Sequence, residues 1–500
     1  PKPEYDRSEA GVEYVAPQTP VEIMLHAHWA AVLEVETIGV HDNFFEIGGH
    51  SLLATQLIFK VREELQLEVP LRILFETPTI AGMAKTIEEI IKHGLTSVSQ
   101  EIDAKGLQDE VALDPAILAE QPYEGDPSQF QAALLTGATG FLGAFLLRDL
   151  LQMTDADIYC LVRASGEEEG LARLRKTLQL YELWDEAQAH RIIPVIGDLA
   201  QPRLGLSAGQ FDTLAGTVDV IYHNGALVNF VYPYAALKKA NVSGTEEIIR
   251  LAAAKKTKPV HFVSTIFTFA SEEGEESVAV REEDMPENSR ILTSGYTQSK
   301  WVAEHIVNLA RQRGIPTAIY RCGRMTGDSE TGACQKDDLM WRIAAGIIDL
   351  GKAPDMSGDL DMMPVDFASK GIVHLSMTEH SMNSNFHLLN PNATDYDDLI
   401  AAIENKGFVL ERVTMDEWIE AVQEDAKDKG MDANSAAPLG NLFSDGHSSR
   451  GSVVYVGNKT TRLLRQADIE CPEIDEEVFT KVLDYFARTG QLRVTQNTRN

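Results

Sequence analysis

The stretch Gln131-Ala-Ala-Leu-Leu-Thr-Gly137-Ala-Thr-Gly140-Phe-Leu-Gly143-Ala-Phe-Leu-Leu-Arg-Asp-Leu-Leu151 decides the fold. Its apolar run from Ala132 to Leu135 predicts a buried strand, and an apolar helical pattern begins beyond the last glycine. Gly137, Gly140 and Gly143 recur at three-residue spacing. A dinucleotide pyrophosphate needs this arrangement. The first glycine allows a tight turn, the second lets backbone approach phosphate, and the third lets helix pack on strand. The helix N-terminus adds unpaired N–H groups and the positive end of its dipole. A glycine triplet carries weight only between a strand and a helix, which is the context here.

Downstream, Asp157 to Val162 predicts a second buried strand that ends at Arg163. That position lies about twenty residues beyond the glycines, where an NAD-binding chain carries an acid for the ribose 2′-hydroxyl. An arginine there suits the 2′-phosphate of NADP(H) instead. Arg173, in the charged helical segment that follows, is a second candidate for the same phosphate, with a surface ion pair as its alternative role. Further strands end at functional-looking turns. Arg191 to Ile196 leads to Gly197-Asp198-Leu199, Val218 to His223 to Asn224-Gly225-Ala226, Pro259 to Val263 to Ser264-Thr265, and Pro316 to Tyr320 to Arg321. Helices fit Tyr234 to Ala254 and Tyr296 to Arg313. This alternation predicts a doubly wound parallel sheet with its ligands at the carboxyl ends of the strands. Tyr296 and Lys300 stand four apart on a helix and so face the same way. A nearby ammonium is expected to lower the tyrosine pKa. Thr265, at a strand end, offers a hydroxyl to a developing oxyanion. A helix-surface pair is the commoner explanation of Tyr-x-x-x-Lys, but the glycine turn, the Asn-Gly-Ala turn and Thr265 favour chemistry.

Upstream, Glu22 to Val35 reads as an amphipathic helix. A second helix opens at Ser51 with Leu53, Leu57, Val61 and Leu65 on one face. Ile80, Met83, Ala84, Ile87 and Ile91 form the stripe of another. Taken alone, Ser51 is a helix N-cap. The 500 residues carry a formal net charge of −32, which argues against nucleic-acid binding. Four scattered cysteines without a C-x-x-C pair disfavour zinc and a disulfide framework and suit a reducing cytosol. No signal peptide or bilayer-spanning apolar run is evident, so the expected location is cytoplasmic, with no membrane partner. The chain opens at Pro1-Lys2-Pro3, in a polar segment that looks like a linker from something longer.

Asp42-Asn43-Phe44-Phe45-Glu46-Ile47-Gly48-Gly49-His50-Ser51-Leu52 resembles the carrier (thiolation) domains of nonribosomal peptide synthetases at every motif position. The resemblance implies a 4′-phosphopantetheine arm on Ser51, installed by a phosphopantetheinyl transferase. It also implies upstream adenylation and condensation domains as partners. The remainder resembles an extended short-chain dehydrogenase/reductase, and more closely the terminal thioester reductase domains of those synthetases and of carboxylic acid and aminoadipate reductases. The residues that carry it are Thr136 to Gly143, Leu161 to Ala164, Gly197 to Leu199, His223 to Ala226, Asn241 to Thr245, Val263 to Thr265, and Tyr296 with Lys300.

That likeness implies Thr265, Tyr296 and Lys300 as the catalytic set. It implies Gly137, Thr139, Gly140, Phe141, Leu142, Gly143, Arg163, Arg173, Asp198, Leu199, Ala226 and Asn241 as cofactor-side positions, with NADPH as reductant and no metal. The fold class is α/β: a four-helix carrier domain, then a Rossmann-type doubly wound parallel sheet with a smaller C-terminal substrate lobe. The expected divisions are 1–20, an upstream linker; 21–93, the carrier; 94–130, linker and lead-in; 131–323, the NADP-binding domain; and 324–500, the lobe. Met325, Met340, Met362 and Met363 pack a core or line an acyl pocket. Residues 423–452 read as a loop, and the end from Arg488 as frayed. The implied function is reduction of an acyl or peptidyl thioester on the arm to an aldehyde, with a primary alcohol as a possible second product. Redox-neutral Dieckmann release and a non-catalytic docking module are the alternatives; Tyr296 speaks against the first, and the intact set of Thr265, Tyr296 and Lys300 against the second.

Overall fold

The structure is a computed structural model. It describes residues 14–33, 35, 37–45, 47–49, 51–65, 67, 69, 72–93, 107–119, 121–229, 232–271, 277–289, 291–292, 294–336, 338–356, 360–392, 394–429 and 453–491.

Four helices, Pro20–Leu33, Ser51–Leu65, Arg72–Glu76 and Ile80–His93, enclose the N-terminal core. The first is opened by a capping box: Thr19 Oγ1 accepts from Glu22 N, and Glu22 Oε2 accepts from Thr19 N at 2.9 Å. Trp29 sits edge-on to Phe44 at 5.0 Å between centroids, among Leu25, Leu57, Val61, Ile80, Met83 and Ile87. The stripe of the last helix closes on Ile90 rather than Ile91, which is 57% exposed. In the motif turn, a Cβ on Gly49 would lie 2.4 Å from the Phe44 carbonyl oxygen, so only glycine fits there.

Thirteen strands follow among the described residues: β1 Ala132–Thr136, β2 Asp157–Val162, β3 Ile192–Ile196, β4 Val220–His223, β5 Val260–Thr265, β6 Val278–Val280, β7 Thr317–Cys322, β8 Arg324–Thr326, β9 Lys352–Pro354, β10 Met362–Pro364, β11 Ser384–Leu388, β12 Glu411–Val413 and β13 Val453–Tyr455. Seven of them form one parallel sheet in the order β11-β7-β5-β4-β1-β2-β3, and the other six pair two by two. The chain winds outward in opposite directions from β1 and β4, which leaves a crevice at their carboxyl ends. β1 is buried throughout and helix Phe141–Met153 packs on it, so both read as nearly continuous apolar runs.

Three expectations need correction. The division at residues 323 and 324 does not separate two units. β11 pairs with β7 in the central sheet, and helix Val365–Ser376 reaches helix Phe141–Met153, where Ser369 Oγ donates to Asp149 Oδ2 at 2.5 Å. Residues 423–429 continue helix Met415–Lys429 instead of opening a loop, while 430–452 lie outside the described residues. The expected helix Tyr234 to Ala254 is broken by a π-helical segment, Lys239–Ser243. The lead-in does pack as expected. Leu113 and Ile117 enter the sheet's core, and Arg313 donates to the carbonyls of Leu113, Asp114 and Ile117. Met340, Met362 and Met363 are core residues. The helix Glu476–Arg488 is intact to its end, and residues 492–500, like 1–13, lie outside the described set.

Candidate active site

The phosphate cradle is built from backbone. Gly137 has φ +75, a left-handed conformation that favours glycine. A Cβ on Gly143 would stand 1.9 Å from the Gly137 carbonyl oxygen, so the helix seats only if that position is bare. Gly140 precedes helix Phe141–Met153 and brings no capping side chain, which leaves the first-turn N–H groups facing outward. Thr139 is half-buried. The Phe141 ring packs against Phe145 and Tyr181, and Leu142 is buried, so these two line the cradle through their amides. Across the crevice, the Thr136 hydroxyl accepts from Gly225 N at 2.8 Å and bonds His223 Nδ1 at 2.9 Å. Burial and then the Lys300 charge push His223 down to about 3, so its imidazole is neutral and purely structural. Leu199 wedges its side chain against Gly225. Asp198 caps its own turn, accepting from Ala200 N at 2.9 Å.

At the end of β2, Arg163 is exposed, and Arg173 reaches back to donate to the Arg163 carbonyl. The Arg173 guanidinium is thus held at the end of β2, beside the backbone of Arg163, where a 2′-phosphate would lie. A cradle that a Cβ would fill, uncapped helix amides and two arginines at the end of β2 fit a phosphorylated dinucleotide.

Helix Gly295–Gln312 carries the candidate chemistry. Ser294 caps it by accepting from Thr297 N at 3.1 Å. Lys300 is buried. Its Nζ donates to the Val263 carbonyl of β5 at 2.7 Å and lies 4.0 Å from the Phe262 ring centroid. Burial pushes its ammonium down to about 8, opposed by Glu304 and Cys322. Tyr296 is half-buried. Burial, with Cys322 adding to it, holds its phenol above the ordinary tyrosine range. This corrects the expectation that the lysine lowers it: burial sets the direction here. A phenol that keeps its proton suits a proton donor. Cys322 is level with Thr265 in the adjoining strand and acts electrostatically on both Tyr296 and Lys300. The three candidate catalytic side chains thus converge at the carboxyl ends of β5 and β7.

Asn241 sits in the π-helical segment, a distortion that recurs at functional sites. Its Oδ1 accepts from Leu227 N at 2.7 Å, and its Nδ2 donates to Leu227 O and to Ser299 Oγ. It ties the loop after β4, with half-buried Ala226, to the Tyr–Lys helix. Of Ser51 the structure gives the place at the start of its helix, and its side chain lies outside the described residues.

The sequence reading passed over a buried group beside this set. The Glu304 carboxylate, four residues beyond Lys300, accepts from Ser264 Oγ at 2.5 Å and from Thr268 Oγ1 at 3.4 Å, the hydroxyls on either side of Thr265. It also pairs with the fully buried Arg321 at 3.0 Å. Arg321 in turn bonds His387 Nε2 of β11 at 3.2 Å and the Glu282 carbonyl at 3.3 Å. The four-residue spacing of Tyr296, Lys300 and Glu304 was the available signal. Among the described residues no acidic, histidine or cysteine group could hold a metal ion. Surface cavities of about 450 and 490 Å³ share Gln121 and Tyr123, and one reaches Asp219 and Pro259. They open at the amino ends of the strands, opposite the crevice.

Fold and site together define a small carrier domain joined to a nucleotide-binding oxidoreductase. Residues 25–87 match the family described as Phosphopantetheine attachment site, and residues 135–372 the family described as Male sterility protein. The chain is similar to the terminal R domain from the myxalamid PKS-NRPS biosynthetic pathway, with 40% identity and a TM-score of 0.72 over 78% of this chain and 99% of that one. It is similar to a thiolation-reductase di-domain from an archaeal non-ribosomal peptide synthetase, with 25% identity and a TM-score of 0.71 over 96% of this chain and 100% of that one. Over all its 500 residues it is 99% identical to part of a linear gramicidin synthase protein of Brevibacillus parabrevis, of which it spans 10%. The chain belongs to the carrier-plus-reductase family of nonribosomal peptide synthetases.

Proposed function

We propose that this chain reduces an acyl or peptidyl thioester borne on a phosphopantetheine arm at Ser51, releasing the acyl chain as an aldehyde. The observation that carries this reading is the convergence of Thr265, Tyr296 and Lys300 beside a dinucleotide cradle, in a chain that also holds a carrier domain. Bound NADPH supplies the hydride, so that thioester, NADPH and a proton give aldehyde, thiol and NADP⁺. Gly137, Gly140 and Gly143, with the amides of Phe141 and Leu142, would hold the pyrophosphate, and Arg163 and Arg173 the 2′-phosphate. Thr265 and Tyr296 donate hydrogen bonds to the carbonyl oxygen as negative charge develops on it, and Tyr296 gives up its proton there. Lys300, as an ammonium, offsets the charge that then appears on the phenol oxygen. A second reduction of the same kind would take that aldehyde to a primary alcohol. Upstream adenylation and condensation domains would load the arm. A cytoplasmic location fits the four free cysteines. No helix among the described residues is long and apolar enough to cross a membrane.

The test is Tyr296→Phe in protein acyl-loaded on Ser51, with single-turnover NADPH oxidation and mass spectrometry of the released product. The expected rate falls by about a hundredfold or more. Undiminished oxidation would reject the assignment.

A further inference from the structure

The loop after β4 faces two ways. Asn241, which donates to Ser299 of the catalytic helix, holds Leu227 at both N–H and carbonyl, and Tyr232 N donates to Asn229 Oδ1 at 2.9 Å. At its far end the Tyr232 carbonyl oxygen lies so close to Gly295 that a Cβ there would meet it at 2.3 Å. Gly295 directly precedes Tyr296. Earlier in the loop, the side chains of Leu227 and Val228 are 40% and 58% exposed. The carrier domain meets this loop through two rings. Phe75 lies 4.8 Å from the Tyr232 ring centroid, and Phe45, stacked on Phe75 at 4.9 Å, lies edge-on to Tyr232 at 6.4 Å. Phe45 is half-buried, whereas its neighbour Phe44 is wholly within the carrier's core. One of the two motif aromatics thus builds the domain and the other faces its partner.

We propose that Tyr232 is the reductase's docking anchor for its own carrier domain, received by Phe45 and Phe75. The contact places two chain positions near one another without a long search. Ser51 lies six residues beyond Phe45, and Tyr296 is the next residue after the glycine that Tyr232 touches. Docking here raises the effective concentration of the tethered thioester at the crevice, and it bears on the backbone that seats the catalytic helix. An interface of three rings suits a carrier that must also leave for upstream domains, because each aromatic pair contributes modestly.

This proposal rests on the reductase reading, and one experiment separates them. In the full chain, NADPH oxidation is measured with the acyl group loaded on Ser51 and with the same acyl group as an untethered pantetheine thioester. Phe75→Ala and Tyr232→Ala are each expected to lower the tethered-to-untethered rate ratio about two- to tenfold. The double variant is expected to do no more than the stronger single one, since both remove one contact. Tyr232→Phe, which keeps the ring, is expected to retain the wild-type ratio and guards against misfolding. An unchanged ratio in both alanine variants, or effects that simply multiply, overturns the docking anchor while the reductase reading stands. A wild-type chain that oxidises NADPH with neither substrate overturns the reductase reading and the docking proposal with it.

Discussion

Glu304 touches no reacting atom in the proposed mechanism, yet it controls two groups that do. Its carboxylate collects the hydroxyls of Ser264 and Thr268 and so fixes the strand end that presents Thr265. Its charge also opposes the burial that pushes Lys300 down to about 8. Of the other titratable groups around Lys300, burial pushes the Cys322 thiol up to about 12 and takes His223 down to about 3, so both are uncharged near neutrality. Tyr296, held above its ordinary range, is also neutral there. Glu304 is therefore the anion that keeps Lys300 protonated at working pH. The sign follows: the active form carries the lysine proton, and turnover falls as pH rises through about 8. Glu304→Gln keeps the shape and removes the charge, so the alkaline limb of the kcat profile is expected to move to lower pH. Glu304→Asp should restore much of the shift. A profile that loses amplitude without moving would make Glu304 a packing residue only.

The strand ends show which parts of this site a sequence discloses. The glycine turn, the Tyr–Lys helix and Thr265 were legible because each sits where a regular pattern stops. Asn241 was legible only as a position, since its clamp on Leu227 depends on a π-helical segment that no apolar period announces. β11 was misplaced for a related reason. Its buried face carries Asn385 and His387, whose polar groups are satisfied by Arg311 and Arg321, so the stretch lacks the apolar run of a central strand. Arg321 itself was named only as a strand end, because a lone buried arginine is indistinguishable in sequence from an exposed one. The end of β2 supplies the sharpest test at this level. Arg163 is exposed, and Arg173 donates to its carbonyl, so two arginines stand at the strand end where an NAD-binding chain would place a carboxylate for the ribose diol. Arg163→Glu is expected to raise KM for NADPH about tenfold or more, with a much smaller change for NADH, because it removes a charge-assisted bond and adds repulsion. Equal effects on the two cofactors would place the 2′-phosphate elsewhere.

The chain holds its cores apart. The carrier's buried set, centred on Leu25, Trp29, Phe44 and Leu57, shares no member with the two clusters that flank the parallel sheet. The corrected division at residues 323 and 324 has the opposite character, since one cluster runs from Phe145 to Phe486 and binds both sides of that point. Two folding units are therefore expected rather than three: the carrier, and everything from the lead-in onward. Trp29 tests this. It is fully buried against Phe44, and truncation of such a ring costs about 3–5 kcal/mol. A domain of this size has about 4–10 kcal/mol in all. Trp29→Ala is expected to abolish phosphopantetheine transfer to Ser51 by the transferase and to melt the carrier. The same protein should oxidise NADPH with an untethered acyl thioester at close to the wild-type rate. If instead both activities vanish together, the ring contacts at Tyr232 join the two cores into one cooperative unit, and the carrier is a structural part of the reductase rather than a domain that visits it.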